Sequence, residues 1–398
     1  MDEREDISVF KAKWIVPVAR QPIEDGYIVV KDGKIYNVTS ELGPEFSSFK
    51  VIDTGNSVIF PAFINTHVHL EHLSPLFVPV DYKEYLYKIK EAELSPSSEK
   101  EGIVKENLDQ CYKYGTIALA DFSSDGTSVP LLLESPLFAR VFLEVKSFKT
   151  FEAEFTFRSI ERIMATLPLS RKVTCHMTPS SLAFTSEPLI RKICHREKHI
   201  AMHFAFTEHE TEFLLEGKGL IKQYLLSIGD FDYDWQRPGK SSARYMLDNF
   251  LFTKHNLLIH CTDLIKSEIH RLREIPEKIN ISISPRVYDS LSISHPNVDE
   301  LISDGFNICL GTEGRIVNSD LDLRKEMVRC ISKYGVPYEF ALKFATLNGA
   351  YAIGFHKEVG SIEPGKIAKC LIIRNIDEDI DDPYVPIFDL RYKVEWLV

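Results

Sequence analysis

Eight short apolar segments, alternating with amphipathic helical stretches from residue 58 onward, predict an α/β protein built on a (β/α)8 TIM barrel. Strand-like texture at both ends of the chain predicts, in addition, a small β-sandwich domain assembled from the two termini. Metal-competent side chains close several of the apolar segments. In such a barrel the functional groups gather at the C-terminal ends of the strands.

The elements follow in order. Residues 7–54 are rich in Val and Ile and carry Asp-Gly pairs at Asp25-Gly26 and Asp32-Gly33, beside the alternating runs 27–30 and 34–38, which is a hairpin signal. Barrel strands are expected at 58–65, 116–121, 139–145, 173–176, 200–204, 257–261, 280–284 and 307–311. Eight is the number that closes the barrel. A doubly wound sheet would need a Gly-rich phosphate-binding turn after an early strand, and none is present. After the helical stretch 338–354, V-G-S-I-E-P-G-K-I-A-K-C-L-I-I returns to strand texture. The expected division is therefore 1–57 with 355–398 for the sandwich and 58–354 for the barrel. Two connections, 74–100 and 217–240, are long enough to form lids or binding walls, which makes Tyr82, Tyr85, Trp235 and Arg237 candidate substrate contacts.

Of the 398 residues, 44% are hydrophobic and 26% charged, ordinary for a globular protein with a substantial core. A net charge of -11 without a basic patch argues against a nucleic-acid surface. The acidic start M-D-E-R-E-D lacks the basic and apolar regions of a signal peptide, and no apolar run reaches bilayer length. Seven cysteines, odd in number and never spaced C-x-x-C, read as reduced thiols. These observations together predict a cytoplasmic protein with no nucleic-acid or membrane partner.

The chemistry begins in V-I-F-P-A-F-I-N-T-H-V-H-L-E, residues 58–71. Alternate side chains of a strand share one face, so His67 and His69 point together into one pocket and can hold one metal ion. Two unrelated surface histidines are the bland alternative for an isolated pair. Later segments weigh against it. H-I-A-M-H-F-A-F carries His203, L-L-I-H-C carries His260, and F-N-I-C-L-G-T-E-G delivers Glu313 just past its strand. Scattered core histidines rarely make such a set.

With these motifs the chain resembles the amidohydrolase superfamily, in the branch of cytosine-deaminase-like, chlorohydrolase and adenine-nucleoside deaminases. P-A-F-I-N-T-H-V-H-L-E, H-F-A-F-T-E-H-E-T-E-F-L, L-I-H-C-T-D-L, L-G-T-E-G and A-T-L-N-G-A carry the resemblance, which covers nearly the whole chain. N-T-H-V-H-L-E and E-S-P-L-F-A-R-V-F-L-E, residues 134–144, are most similar to aminofutalosine deaminases of the alternative menaquinone pathway. The resemblance implies a barrel of the metal-dependent hydrolase type and one divalent metal ion, zinc or iron, held by His67, His69, His203 and Glu313. No lysine matches a carbamylated bridge to a second ion. It further implies that His260 and Glu313 are catalytic, that His176 faces the substrate, and that the chain forms a homodimer; Glu71 and Glu144, together with Phe206 and Arg286 where the chain departs from the family, are further candidates to meet the substrate. The implied reaction is hydrolysis of a C–N bond in a small-molecule substrate, cyclic or purine-like. The alternative is a degenerate paralogue that binds a ligand or partner without turnover.

Four departures bear on that choice. The family's aspartate in L-G-T-D is Glu313 here, whose extra carbon moves the carboxylate by roughly an ångström. The family's proton-shuttling glutamate is Phe206, which neither gives nor takes a proton. The seventh-strand motif becomes S-P-R-V-Y-D, residues 284–289, adding Arg286 as a partner for an anionic group. Lys369 replaces an aspartate of the small sheet domain. Leaving-group protonation then falls to Glu71, Glu144 or the substrate itself.

Overall fold

Residues 6–73 and 81–397 are described by the computed structural model of the chain. Five strands begin it: β1 (Ile7–Ile15), β2 (Ile23–Lys31), β3 (Lys34–Thr39), β4 (Val51–Asp53) and β5 (Ser57–Pro61). Eight follow: β6 (Phe63–Val68), β7 (Thr116–Ser123), β8 (Phe138–Val145), β9 (Val173–Pro179), β10 (His199–Phe204), β11 (His255–His260), β12 (Lys278–Ile283) and β13 (Asn307–Leu310). The last are β14 (Cys370–Arg374) and β15 (Glu395–Trp396). The chain divides into two units, 1–65 with 111–118 and 322–398, and 66–110 with 119–321.

In the first unit the strands join as one seven-stranded sheet in the order β15-β14-β5-β1-β2-β3, with β4 also on β1. Strand β1 pairs in parallel with β4 along its first half and with β5 along its second. Period-two alternation covers both faces: Phe10 and Ile28 enter one apolar cluster, Val9 and Val29 another. Asp32 and Gly33 form the β2–β3 turn with φ of 50° and 72°, the positive pair that a tight primed hairpin demands. The other Asp-Gly pair is no turn. Asp25 and Gly26 lie inside β2, and Gly26 sits opposite Ala12 of β1.

The apolar run expected as one strand at 58–65 is two strands, β5 in the terminal sheet and β6 at the edge of a separate four-stranded sheet. Proline has no N–H for a ladder, so β5 ends at Pro61, and the Ala62 N–H donates to the Lys369 carbonyl at 3.3 Å instead.

The remaining strands form two four-stranded sheets, β6-β7-β8-β9 and β10-β11-β12-β13. The pairs β8–β9, β10–β11, β11–β12 and β12–β13 are parallel. The sheets are separate ladders, yet main-chain bonds join their outer strands at the chemically interesting ends. His203 N–H donates to Ser180 O, and Thr312 and Glu313 N–H both donate to His67 O, each at 2.9 Å. The second contact requires glycine at 311, because a Cβ there would stand 2.5 Å from His67 Cβ and 2.9 Å from its backbone nitrogen. Gly311→Ala is therefore expected to cost about 1–3 kcal/mol of stability and to spread His67 from Glu313. A lowered urea midpoint together with weaker metal binding checks this.

Both long connections contain helix. Residues 74–80 of the first lie outside the described residues, and helix Tyr82–Leu94 follows, capped by the Asp81 carboxylate, which accepts from Glu84 N–H at 2.8 Å. Its buried face is Tyr82, Tyr85 and Leu86, the spacing of one helical stripe. The second connection contains helix Leu220–Ser227.

Candidate metal centre and cavity

Strand ends converge on one point. Ligand atoms of His67, His69, His203 and Glu313 all lie within 4.8 Å of one another. The Glu313 carboxylate stands between imidazoles, with Oε2 at 3.1 Å from His67 Nδ1 and 3.6 Å from His260 Nε2, and Oε1 at 3.2 Å from His69 Nε2. His260, Cys261 and Glu313 adopt positive φ of 77°, 54° and 57°. Such conformations cost about 1–3 kcal/mol each and cluster where function holds them.

The histidines are set for a metal by what holds their other nitrogens. His69 Nδ1 lies 3.0 Å from the Phe122 carbonyl, so that its donated proton leaves Nε2 toward the centre. His203 Nδ1 faces Glu144 Oε1 at 3.1 Å, while its buried Nε2 has no hydrogen-bond partner among the described residues. Buried polar atoms without partners are rare unless something absent binds them. Three imidazoles and a carboxylate are a donor set for one divalent ion, so the residues fit the group.

Burial drives the His67 imidazole well below its usual pKa and takes His260 down to about 4, so both are neutral. Burial works to raise the Glu313 carboxyl, but the surrounding imidazoles, protonated His69 and the hydrogen bond from His260 among them, outweigh it and hold the group well below the carboxylate range. For His69 the balance runs the other way: burial lowers it, and Glu313 raises it further. A metal must displace that proton. Metal affinity is therefore expected to rise as the pH climbs above the ordinary imidazole range, with proton release, as chelator competition and calorimetry would read.

A cavity of about 330 Å³ opens beside the centre, lined by His69, His203, Tyr82, Tyr85, Phe206, Glu144, Lys146, Ser180, Glu210 and an apolar wall that includes Leu86, Ile89 and Ile228. The Phe206 ring stacks on His260 with centroids 3.7 Å apart and planes 16° apart. Glu144 accepts Ser180 Oγ at 2.8 Å and pairs with Lys146 at 3.1 Å, in addition to holding His203.

Three sequence candidates lie elsewhere. Glu71 has its carboxylate taken by the Ser123 and Ser124 hydroxyls. His176 bonds Glu197 at 3.1 Å and neighbours the His199 ring. It sits mid-strand because β9 runs on to Pro179, so Ser180, at the strand's end, is what lines the cavity. Arg286 pairs with Asp320 at 3.0 Å. Of the loop candidates, Tyr82 and Tyr85 line the cavity, whereas Trp235 stacks on Phe213 and Arg237 donates to Leu215 O. Sequence reading missed Lys146, Ser180, Glu210 and the 2.9 Å hydrogen bond from the Tyr85 hydroxyl to Glu313 Oε1. Only the alternation Glu144, Lys146 along a strand end hinted at any of them.

Three histidines and a carboxylate at strand ends beside a cavity are the arrangement of a metal-dependent hydrolase on an α/β scaffold. Residues 58–391 match the amidohydrolase family, and the chain belongs to it. A 5-methylthioadenosine/S-adenosylhomocysteine deaminase of Syntrophomonas wolfei is 24% identical over 388 residues, covering 92% of this chain and 84% of that one. The Helicobacter pylori aminofutalosine deaminase complexed with methylthio-coformycin has a TM-score of 0.83 at 20% identity, covering 97% of each chain. An adenosine deaminase from Xanthomonas campestris with bound zinc has a TM-score of 0.78 at 16% identity, covering 97% of this chain and 90% of that one. Family enzymes depend on divalent metal, and the relatives include deaminases.

Proposed function

We propose that this chain hydrolyses a C–N bond of a purine-like ring in a small molecule, as a deaminase of 5′-substituted adenosines or aminofutalosine. The convergence of His67, His69, His203 and Glu313 within 4.8 Å, beside a cavity, carries this reading. The names of the relatives supply the substrate class. One zinc or iron would be held by those four side chains, and when bound it supplies Lewis acidity. Two further readings accompany it: the eight strands β6 to β13 act as one closed barrel, and the terminal sheet acts as a sandwich domain split near residues 57 and 355. Seven free cysteines support a reducing, cytoplasmic setting.

The chain's own residues divide the work. Glu313, ionised, accepts the proton that water loses as it attacks the ring carbon, and returns it to the amine, which leaves as ammonia when the C–N bond breaks. His260, neutral, hydrogen-bonds the oxygen that develops charge. Glu144 fixes His203, and Phe206 with Tyr82 and Tyr85 excludes water and offers aromatic faces to a flat ring. Ring-nitrogen protonation must come from Glu210, whose carboxyl burial raises, or from the substrate, since Phe206 has no proton to give and Lys146 and His203 hold Glu144 ionised.

Metal content of protein purified without added metal or chelator, followed by a screen of 5′-methylthioadenosine, S-adenosylhomocysteine, adenosine and aminofutalosine, tests the reading. About one equivalent of metal and ammonia release from one of these supports it; a chain that takes up no metal on reconstitution ends it. Binding without turnover is the weaker reading, because a retired site has no reason to keep the whole ligand set together.

A further inference from the structure

We propose that Tyr85 is a positioning residue of the metal centre, whose hydroxyl fixes the orientation of the Glu313 carboxylate. The proposal rests on Glu313 being a metal ligand, as read above.

Glutamate has one more rotatable bond than the aspartate it stands in for, so its carboxylate must be held by contacts or it will swing. The neighbours of Glu313 are unequal to that task. The imidazole nitrogens of His67, His69 and His260 lie at 3.1, 3.2 and 3.6 Å. An imidazole nitrogen that ligates a metal has no proton, and then offers the carboxylate nothing. The Tyr85 hydroxyl donates to Oε1 at 2.9 Å and keeps its proton whatever the histidines do. It leaves Oε2 and a second lone pair of Oε1 for other partners.

Tyr85 is itself well placed to be rigid. The residue is buried, and its ring packs edge-on against Phe206 at 6.3 Å and near Tyr82 at 6.0 Å. The helix that carries it is tied to the centre a second time: Glu93, two turns further on, pairs with Lys146 at 2.5 Å, and Lys146 with Glu144, which holds His203. One helix thus braces two members of the ligand set from outside it. Supporting groups of this kind change metal affinity by about 10- to 100-fold when removed.

The test is a double-mutant cycle on the full chain, with zinc affinity from chelator competition and the visible spectrum of the cobalt-loaded protein as readouts. Tyr85→Phe keeps the ring and its packing, so the metal-free protein should stay folded, with its melting temperature lowered by no more than the loss of one buried hydrogen bond explains. It is expected to weaken zinc binding about 10-fold or more and to shift the cobalt bands. In a Glu313→Asp background, whose shorter side chain does not reach the hydroxyl, the same change should alter affinity by less than about twofold. Unchanged zinc affinity and an unchanged cobalt spectrum in Tyr85→Phe overturn the proposal. So does an equal loss in both backgrounds, which would mean packing alone. A wild-type chain that binds no metal instead removes the reading of the centre, and the proposal with it.

Discussion

Protein carrying His67→Ala is expected to retain less than about one-tenth of the wild-type metal and to lose at least about 10³-fold in kcat/KM, the order seen when one member of a catalytic unit is removed. The ring of His67 is the hub of the cluster, with centroids 5.1 Å from His69, 5.0 Å from His203 and 5.3 Å from His260. Its carbonyl accepts the two main-chain bonds that bring Glu313 into place. Truncation keeps those bonds and deletes the side chain, so the loss reports ligation rather than collapse of the strand end. Stability should fall too, because a ligand at about 100 times its Kd stabilises the folded state by about 2.7 kcal/mol. His176→Ala is the matched control: another strand histidine, bonded to Glu197, outside the ligand set. Plasma mass spectrometry on both variants decides. Metal retained in His67→Ala, or lost equally in His176→Ala, would remove the centre proposed here.

That contrast also marks how far the sequence could be read. The barrel-type strands were legible because buried parallel strands are near-continuous apolar runs, and all eight expected segments contain strand. Their ends were not, because run length does not say where a ladder stops. Pro61 split one run, and the extension of β9 to Pro179 carried His176 away from the end where chemistry sits. The convergence of His67, His69, His203 and Glu313 was legible through spacing and strand-end position. Its supports were not. Tyr85 and Glu313 are 228 positions apart, and Ser180 meets Glu144 across 36; no local pattern encodes such meetings. The stripe Tyr82, Tyr85, Leu86 announces a buried helix face, but it says nothing about what that face is buried against.

Phe206→Glu is expected to raise turnover of a 6-aminopurine nucleoside by about 10²- to 10⁴-fold, the usual worth of a positioned general acid. The position suits the purpose. Phe206 lines the cavity, lies flat on His260, and has its centroid 6.1 Å from the His203 ring. Losing the stack costs about 0.5–1.5 kcal/mol, small against the gain expected in the barrier. Glu210 lies close enough to accept the residue's own N–H at 3.4 Å, and the Glu144 carboxylate faces the same cavity. Like charges and burial would push the introduced carboxyl upward, toward the working pH, where a group can both hold and release a proton. The pH profile should then gain an alkaline limb that the parent lacks, as that proton is lost. If the variant folds, loads metal and still turns over no 6-aminopurine nucleoside faster than the parent, the missing acid is not what limits it. The ring carbon attacked here would then belong to a substrate that needs no protonation by the protein, and Phe206 would be part of its recognition.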